Sequence, residues 1–137
     1  MELTHITIGD TIPELDLKCF YQNKEVTLST NDYADKWKVF FFYPADFTFV
    51  CPTELEELAG LYADFQKEGA EIFSVSTDTV FVHKAWHDHS PSIAKIQFPM
   101  VADPTGELAH LFGVYISDEG LARRGTFIVN PEGKLVA

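Results

Sequence analysis

The chain has 137 residues, enough for one domain with a real core, since folding at this size buries roughly two-thirds of the unfolded surface. An apolar share of 46%, with 14% aromatic residues, excludes disordered, collagen-like and mucin-like classes. The 21 acidic against 10 basic residues give a net charge of −11, a field that repels phosphate backbones and argues against nucleic acid as a partner. The longest strongly apolar run, Val39 to Tyr43, is too short to span a bilayer, so no membrane role is expected. Met1 to His5 carries neither a basic nor an apolar leader, and Cys19 and Cys51 are too few for a disulfide scaffold. A soluble protein in a reducing cytoplasm is the expectation.

In chain order, Leu15, Leu17, Cys19 and Tyr21 alternate with a period of two, which predicts a half-buried strand, and Val26 and Leu28 continue the pattern. Lys38 to Tyr43 is nearly continuous in apolar residues and reads as a central strand covered on both faces. It ends at Pro44, and a loop runs to Val50. A helix begins near Cys51, with Pro52 in the first turn, where a missing N–H is harmless. Leu55, Leu58, Leu61, Tyr62 and Phe65 give it one apolar stripe; Glu54 charges its first turn, and Gly69 is a candidate C-cap.

Glu71 to Ser76 reads as a second buried strand, Val80 to His89 as a second helix ended by Pro91, and Phe98 to Ala102 as a strand. Asp103 to Gly106 opens a short helix through Phe112. The remainder reads as hairpin-like: Val114 to Ile116, a turn at Ser117 to Gly120, then Arg124 to Val129 and a turn at Asn130 to Gly133. Lys134 to Ala137 reads as the start of a strand whose edge near Leu135 is left unpaired. Strands alternating with helices before an antiparallel tail indicate an α/β fold with a mixed central sheet flanked by helices.

The sharpest chemical signal is Cys51. It follows a loop from a central strand and opens a helix, where free N–H groups and the positive dipole end favour thiolate over thiol. Lowering a thiol from about 8.5 to about 6 requires roughly 3.4 kcal/mol, whereas a helix terminus supplies about 0.3–1 kcal/mol. A nearby cation must provide most of the difference. A free cysteine is more often a small buried apolar residue, and position alone does not separate the two readings.

The surrounding residues do separate them. Phe42 to Glu54 (FYPADFTFVCPTE) resembles the active-site segment of peroxiredoxins, with Pro44, Thr48 and Cys51 matching the pattern Pro-x-x-x-Thr/Ser-x-x-Cys. The resemblance continues through Val75-Ser76-Thr77-Asp78, His83-Lys84-Ala85-Trp86, Asp103-Pro104-Thr105-Gly106 and Arg124-Gly125-Thr126-Phe127. It is strongest to the bacterial alkyl hydroperoxide reductase peroxidase subunits of the typical two-cysteine group. It implies a thioredoxin-like fold over 1–137 as a single domain, and thiol-dependent reduction of hydroperoxides with no metal or other cofactor. Cys51 would attack the peroxide and become a sulfenic acid, and Thr48 would place its hydroxyl beside the reacting atoms. Pro44 would shield the loop, Arg124 rather than Arg123 would steady the charge, and Glu54 would orient Arg124. The implied partners are a hydroperoxide, a thioredoxin-like or flavoprotein reductase, and further copies of the chain as a homodimer or decamer.

Other readings fit the residues less well. Thioredoxin-type exchange wants Cys-x-x-Cys, but Glu54 stands three residues after Cys51. His83 and His87, four apart with His89 nearby, have zinc-ligand spacing without the metalloprotease signature, and scattered surface histidines are commoner. Trp86 and Phe49 suit an active-site wall or a subunit contact, and Cys19 suits the core. A second functional class is a thioredoxin-fold assembly or holdase-like protein with little turnover. Relative to the family, the sequence lacks the C-terminal strand, helix and resolving-cysteine tail, and it has no Gly-Gly-Leu-Gly insertion between Trp86 and Phe98.

Overall fold

The computed structural model describes residues 5–48 and 51–137, the side chain of Cys51 excepted. Strands β1 (Asp16–Tyr21) and β2 (Lys24–Ser29) form a hairpin. Its turn residues, Gln22 and Asn23, both take positive φ, as a tight turn between right-twisted strands requires. Strand β3 (Trp37–Phe42) leads through the Pro44 loop into helix α1 (Cys51–Lys67), then come β4 (Ala70–Ser76), α2 (Val80–His89), β5 (Met100–Ala102) and α3 (Glu107–Leu111). A short ribbon, β6 (Tyr115–Ile116) with β7 (Leu121–Ala122), precedes β8 (Gly125–Val129).

Six strands form one sheet in the order β2-β1-β5-β4-β3-β8. β3, β4 and β5 run parallel, while β1 and β8 flank them antiparallel, so the sheet is mixed as expected. All seven residues of β4 are buried, which explains why it shows no alternation. One face packs Val39, Tyr43 and Ile72 against Leu55 and Tyr62 of α1 and Val80 and Trp86 of α2. The other packs Phe40, Phe42, Phe73 and Val75 against Leu108, Ala109 and Phe112 of the α3 region. Phe40 stacks on Phe73 at 5.1 Å, and Phe112 lies 5.0 Å from Phe127. Each such ring contributes about 1.5–3 kcal/mol by burial.

Helix α1 stops where Gly69 takes φ +77°, and α2 starts where the Thr79 hydroxyl accepts from Val82 N at 3.3 Å. Among the described residues no helix is long and apolar enough to cross a membrane.

Two expectations need correction. The segment Arg124 to Val129 does not close a hairpin on Val114 to Ile116: the two-residue β7 does that, and β8 pairs with β3, with Phe40 opposite Phe127. Its apolar residues reach a larger buried surface there than a two-residue ribbon offers. The edge near Leu135 is not unpaired either. Leu135 is buried, donates its N–H to Asp10 O at 2.9 Å and accepts from Gly9 N at 2.7 Å, so residues 9–12 are laced to 133–135.

Candidate active site

The β3 loop and the first turn of α1 lie at the carboxyl ends of the parallel strands, where open α/β sheets place their ligands. Cys51 opens α1 and Glu54 stands three residues on, so both belong to the first turn. Glu54 Oε1 meets Arg124 Nη1 at 2.5 Å. The sheet explains how a residue seventy positions away arrives here. Gly125 pairs with Phe42, the last residue of β3, so Arg124 stands beside the point where the Cys51 loop departs. Arg123 instead donates its backbone N–H to Val114 O at 2.7 Å. The pair is partly solvated, with 41% and 35% of the two side chains exposed, so its value lies in aiming a cation more than in stability.

Pro44 and Thr48 are half-buried, and the Thr48 hydroxyl donates to Ala45 O at 3.2 Å, within its own loop. Trp86 is 3% exposed, with Tyr43 at 6.1 Å and Phe47 at 6.0 Å, an aromatic wall on one side of the loop. Phe49, the other residue expected in that wall, lies outside the described residues, as does the thiol of Cys51. Cys19 is fully buried in β1 with its Sγ on Leu17 O at 3.4 Å. Burial, reinforced by the charge of Glu71, pushes its thiol up to about 12, so it is a core residue and a poor nucleophile at neutral pH.

The sequence reading missed the polar network under the loop. Asp46 and His83 are both fully buried at the side chain and meet at 2.6 Å, Oδ2 to Nδ1. Tyr43 donates its hydroxyl to Asp46 Oδ1 at 2.6 Å. His83 Nε2 lies 2.9 Å from Val101 O, and a carbonyl can only accept, so Nε2 carries a hydrogen and Nδ1 shares the other proton with Asp46. Burial pushes the Asp46 carboxyl above the usual carboxylate range, partly offset by His83. For His83, burial works against the imidazolium, but the Asp46 hydrogen bond and charge outweigh it and raise the group. Both directions describe a pair that holds its shared proton tightly.

Asp78 completes the network: its Oδ2 accepts from Asp46 N at 2.8 Å and from Ser76 Oγ at 2.7 Å. Asp46, Asp78 and His83 bring three ligand-type atoms within 4.8 Å of one another. A cation would have to displace the shared proton and the amide and hydroxyl donors, so the residues fit a hydrogen-bond network better than a metal site. The zinc spacing of His83 and His87 is not used: His87 Nε2 donates to Ile96 O and His89 Nδ1 to Ala85 O, each turned to its own carbonyl. A signal for His83 did exist. Val80, His83 and Trp86 fall every three residues on the buried face of α2.

Arg124, the residue before β8, thus reaches the first turn of the helix that Cys51 opens, and the mixed sheet flanked by helices defines a thioredoxin-like protein with a cysteine at the head of its first helix. Residues 8–137 match the AhpC/TSA family, and the chain belongs to it. It is 51% identical over 130 residues to alkyl hydroperoxide reductase C of Salmonella typhimurium, covering 95% of this chain and 70% of that protein. It is 48% identical over 126 residues to the protein of that name from Pseudomonas aeruginosa, covering 92% and 67%. The crystal structure of Enterococcus faecalis AhpC superimposes with a TM-score of 0.92 at 44% identity, over all of this chain and 80% of that one. Mycobacterium tuberculosis AhpC gives 0.88 at 33% identity, covering 98% and 82%.

Proposed function

We infer that the chain is a thiol-dependent peroxidase in which Cys51 reduces hydroperoxides. The observation that carries this is the ion pair between Glu54, in the turn that Cys51 opens, and Arg124, within a chain that matches the AhpC/TSA family over residues 8–137. The Cys51 thiolate attacks the terminal peroxide oxygen. A sulfur–oxygen bond forms as the O–O bond breaks, sulfur gives up two electrons, and the leaving oxygen takes a proton and departs as water or alcohol. Arg124 opposes the charge that spreads over the two oxygens, Thr48 offers a hydroxyl to the peroxide, and Pro44 narrows the loop.

The sulfenic acid then condenses with a second thiol, releasing water. Among these 137 residues Cys19 is the remaining cysteine, and its burial keeps it from that role. The second thiol is supplied from outside them, and a thioredoxin-like or flavoprotein reductase returns the electrons. Homodimeric or decameric assembly fits the exposed Phe47 and Phe81 rings, and a reducing cytoplasm fits the sparse cysteine usage, Cys19 and Cys51. The holdase-like reading has no observation of its own here.

The test is peroxide consumption with dithiothreitol as reductant. Cys51→Ser is expected to abolish it, Cys19→Ser to leave it within about twofold, and Arg124→Ala to slow it by about 10²-fold, the scale of one lost transition-state donor. Consumption by Cys51→Ser at the wild-type rate overturns the assignment.

A further inference from the structure

The loop between β3 and α1 holds Phe47 at φ +61°, a left-handed backbone that a bulky residue adopts only when its surroundings impose it. Phe47 lies between Asp46 and Thr48, so the fastenings of Asp46 decide where Thr48 stands. On the side-chain level Asp46 is held by Tyr43 and His83. On the backbone level, among the described residues, the loop between Pro44 and Thr48 is fastened from outside by one hydrogen bond, Asp46 N to Asp78 Oδ2 at 2.8 Å. The Thr48 hydroxyl is bonded to Ala45 O, inside the loop, and moves with it.

Asp78 is suited to act as an anchor. It follows β4, the strand buried along its whole length, by two residues, and directly precedes Thr79, the cap of α2. Its accepting oxygen is fixed a second time by Ser76 Oγ at 2.7 Å, the last residue of that strand. We propose that Asp78 is a positioning residue for the peroxidase reaction, transmitting the fixed place of β4 to the strained loop and so setting the Thr48 hydroxyl against the peroxide. This rests on the peroxidase reading above. Asp78 touches none of the reacting atoms and acts through the amide of Asp46.

A group displaced by about 1 Å from a reacting centre loses roughly 10²-fold in rate. Alkylation of a thiolate by neutral iodoacetamide needs no donor on an incoming oxygen, so it reports the thiolate and not the loop. Asp78→Leu is expected to lower the second-order rate constant for hydrogen peroxide by about 10–100-fold, while Cys51 alkylation at pH 7 stays within about threefold. Asp78→Asn keeps an oxygen that can accept from Asp46 N and is expected to restore the peroxide rate to within about threefold. Asp78→Ala, which is smaller and carries no acceptor, is expected to repeat the split if Asp78→Leu does not fold. Wild-type peroxide reactivity in Asp78→Leu or Asp78→Ala overturns the proposal, as does an equal loss of alkylation, or an Asp78→Asn variant as slow as Asp78→Leu. A wild-type protein without Cys51-dependent peroxide reduction overturns the peroxidase reading and this proposal with it; every other negative result strikes the proposal alone.

Discussion

Replacing His83 by Leu is the most informative single perturbation of the buried network. The imidazole is fully buried, bonded to Asp46 at one nitrogen and to Val101 O at the other. Leu has similar volume, so packing changes little and the loss is polar. Removing one member of a buried charged pair costs about 3–5 kcal/mol, because the survivor stays dehydrated without a partner. Here Asp46 keeps the Tyr43 hydroxyl and can take up a proton, which favours the lower end; the orphaned Val101 carbonyl adds about 1 kcal/mol or more. A net loss of about 3–4 kcal/mol is expected. For 137 residues the unfolding entropy is about 0.29 kcal/mol per degree, so Tm falls by about 10–14 °C. The hydrogen on Nε2 gives the contrasting expectation for Asp46→Asn. With that hydrogen on Val101 O, neutral His83 offers Nδ1 as an acceptor to an Asn amide, and the cost should be about 1 kcal/mol. The assay is thermal unfolding followed by circular dichroism at one fixed protein concentration, because assembly would otherwise shift the midpoint. Pairing His83→Leu with Asp46→Leu completes a double-mutant cycle with an expected coupling of at least about 1.5 kcal/mol. A His83→Leu protein melting within 2 °C of wild type, or strict additivity in the cycle, would refute the reasoning.

Two further outcomes follow from local geometry. Gly106 has φ +77°, and a Cβ there would stand 2.5 Å from Tyr115 Cε1, so Gly106→Ala should cost about 2–4 kcal/mol in urea unfolding. Gly133, with φ +88° and a nearest atom at 3.9 Å, should lose only the backbone share, about 1–2 kcal/mol, on the same substitution; equal losses would exclude the Tyr115 clash as the cause. Burial raises the Glu71 carboxyl, so the folded state holds that proton more firmly than the unfolded one, and stability is lost as pH rises through the raised value. Glu71→Gln keeps an acceptor for Ile72 N, now at 2.9 Å, and should be more stable than wild type at pH 7, with a flatter stability profile above about pH 4.5; a variant equal to wild type across that range would count against it.

Most of the parallel core was legible in the sequence because its signals are local. The apolar run Lys38 to Tyr43, the stripe of α1 (except Leu61, which is exposed) and the Pro91 stop each depend on a few neighbouring residues, and the observed elements fall close to them. The partner of β8 was not legible. An antiparallel strand at 125–129 can pair with any apolar edge, and only the assembled sheet shows that β3 offers the larger one. The same limit hid the Asp46–His83 contact, which spans 37 residues and joins a loop to a helix face. At the site, the Glu54–Arg124 contact was anticipated because resemblance supplied what spacing could not. Asp46 and Asp78 stood inside the matching segments without a role, since a carboxylate in a loop reads equally well as solvated.

The strand that carries the reactive loop is also the one whose sheet completes last. β3 pairs with β4 on one side, close in sequence, but on the other with β8, which leaves the ribosome after more than eighty further residues. At roughly 5–20 residues per second, the Trp-Lys-Val-Phe-Phe-Phe edge waits about 4–17 s for its partner. An apolar strand with an open row of amides is a template for pairing between nascent chains. During vectorial synthesis the segment that brings Arg124 to Glu54 in the first turn of α1 is therefore also the segment that ends this exposure, so the Arg124–Glu54 contact and escape from misassociation arrive in one pairing event.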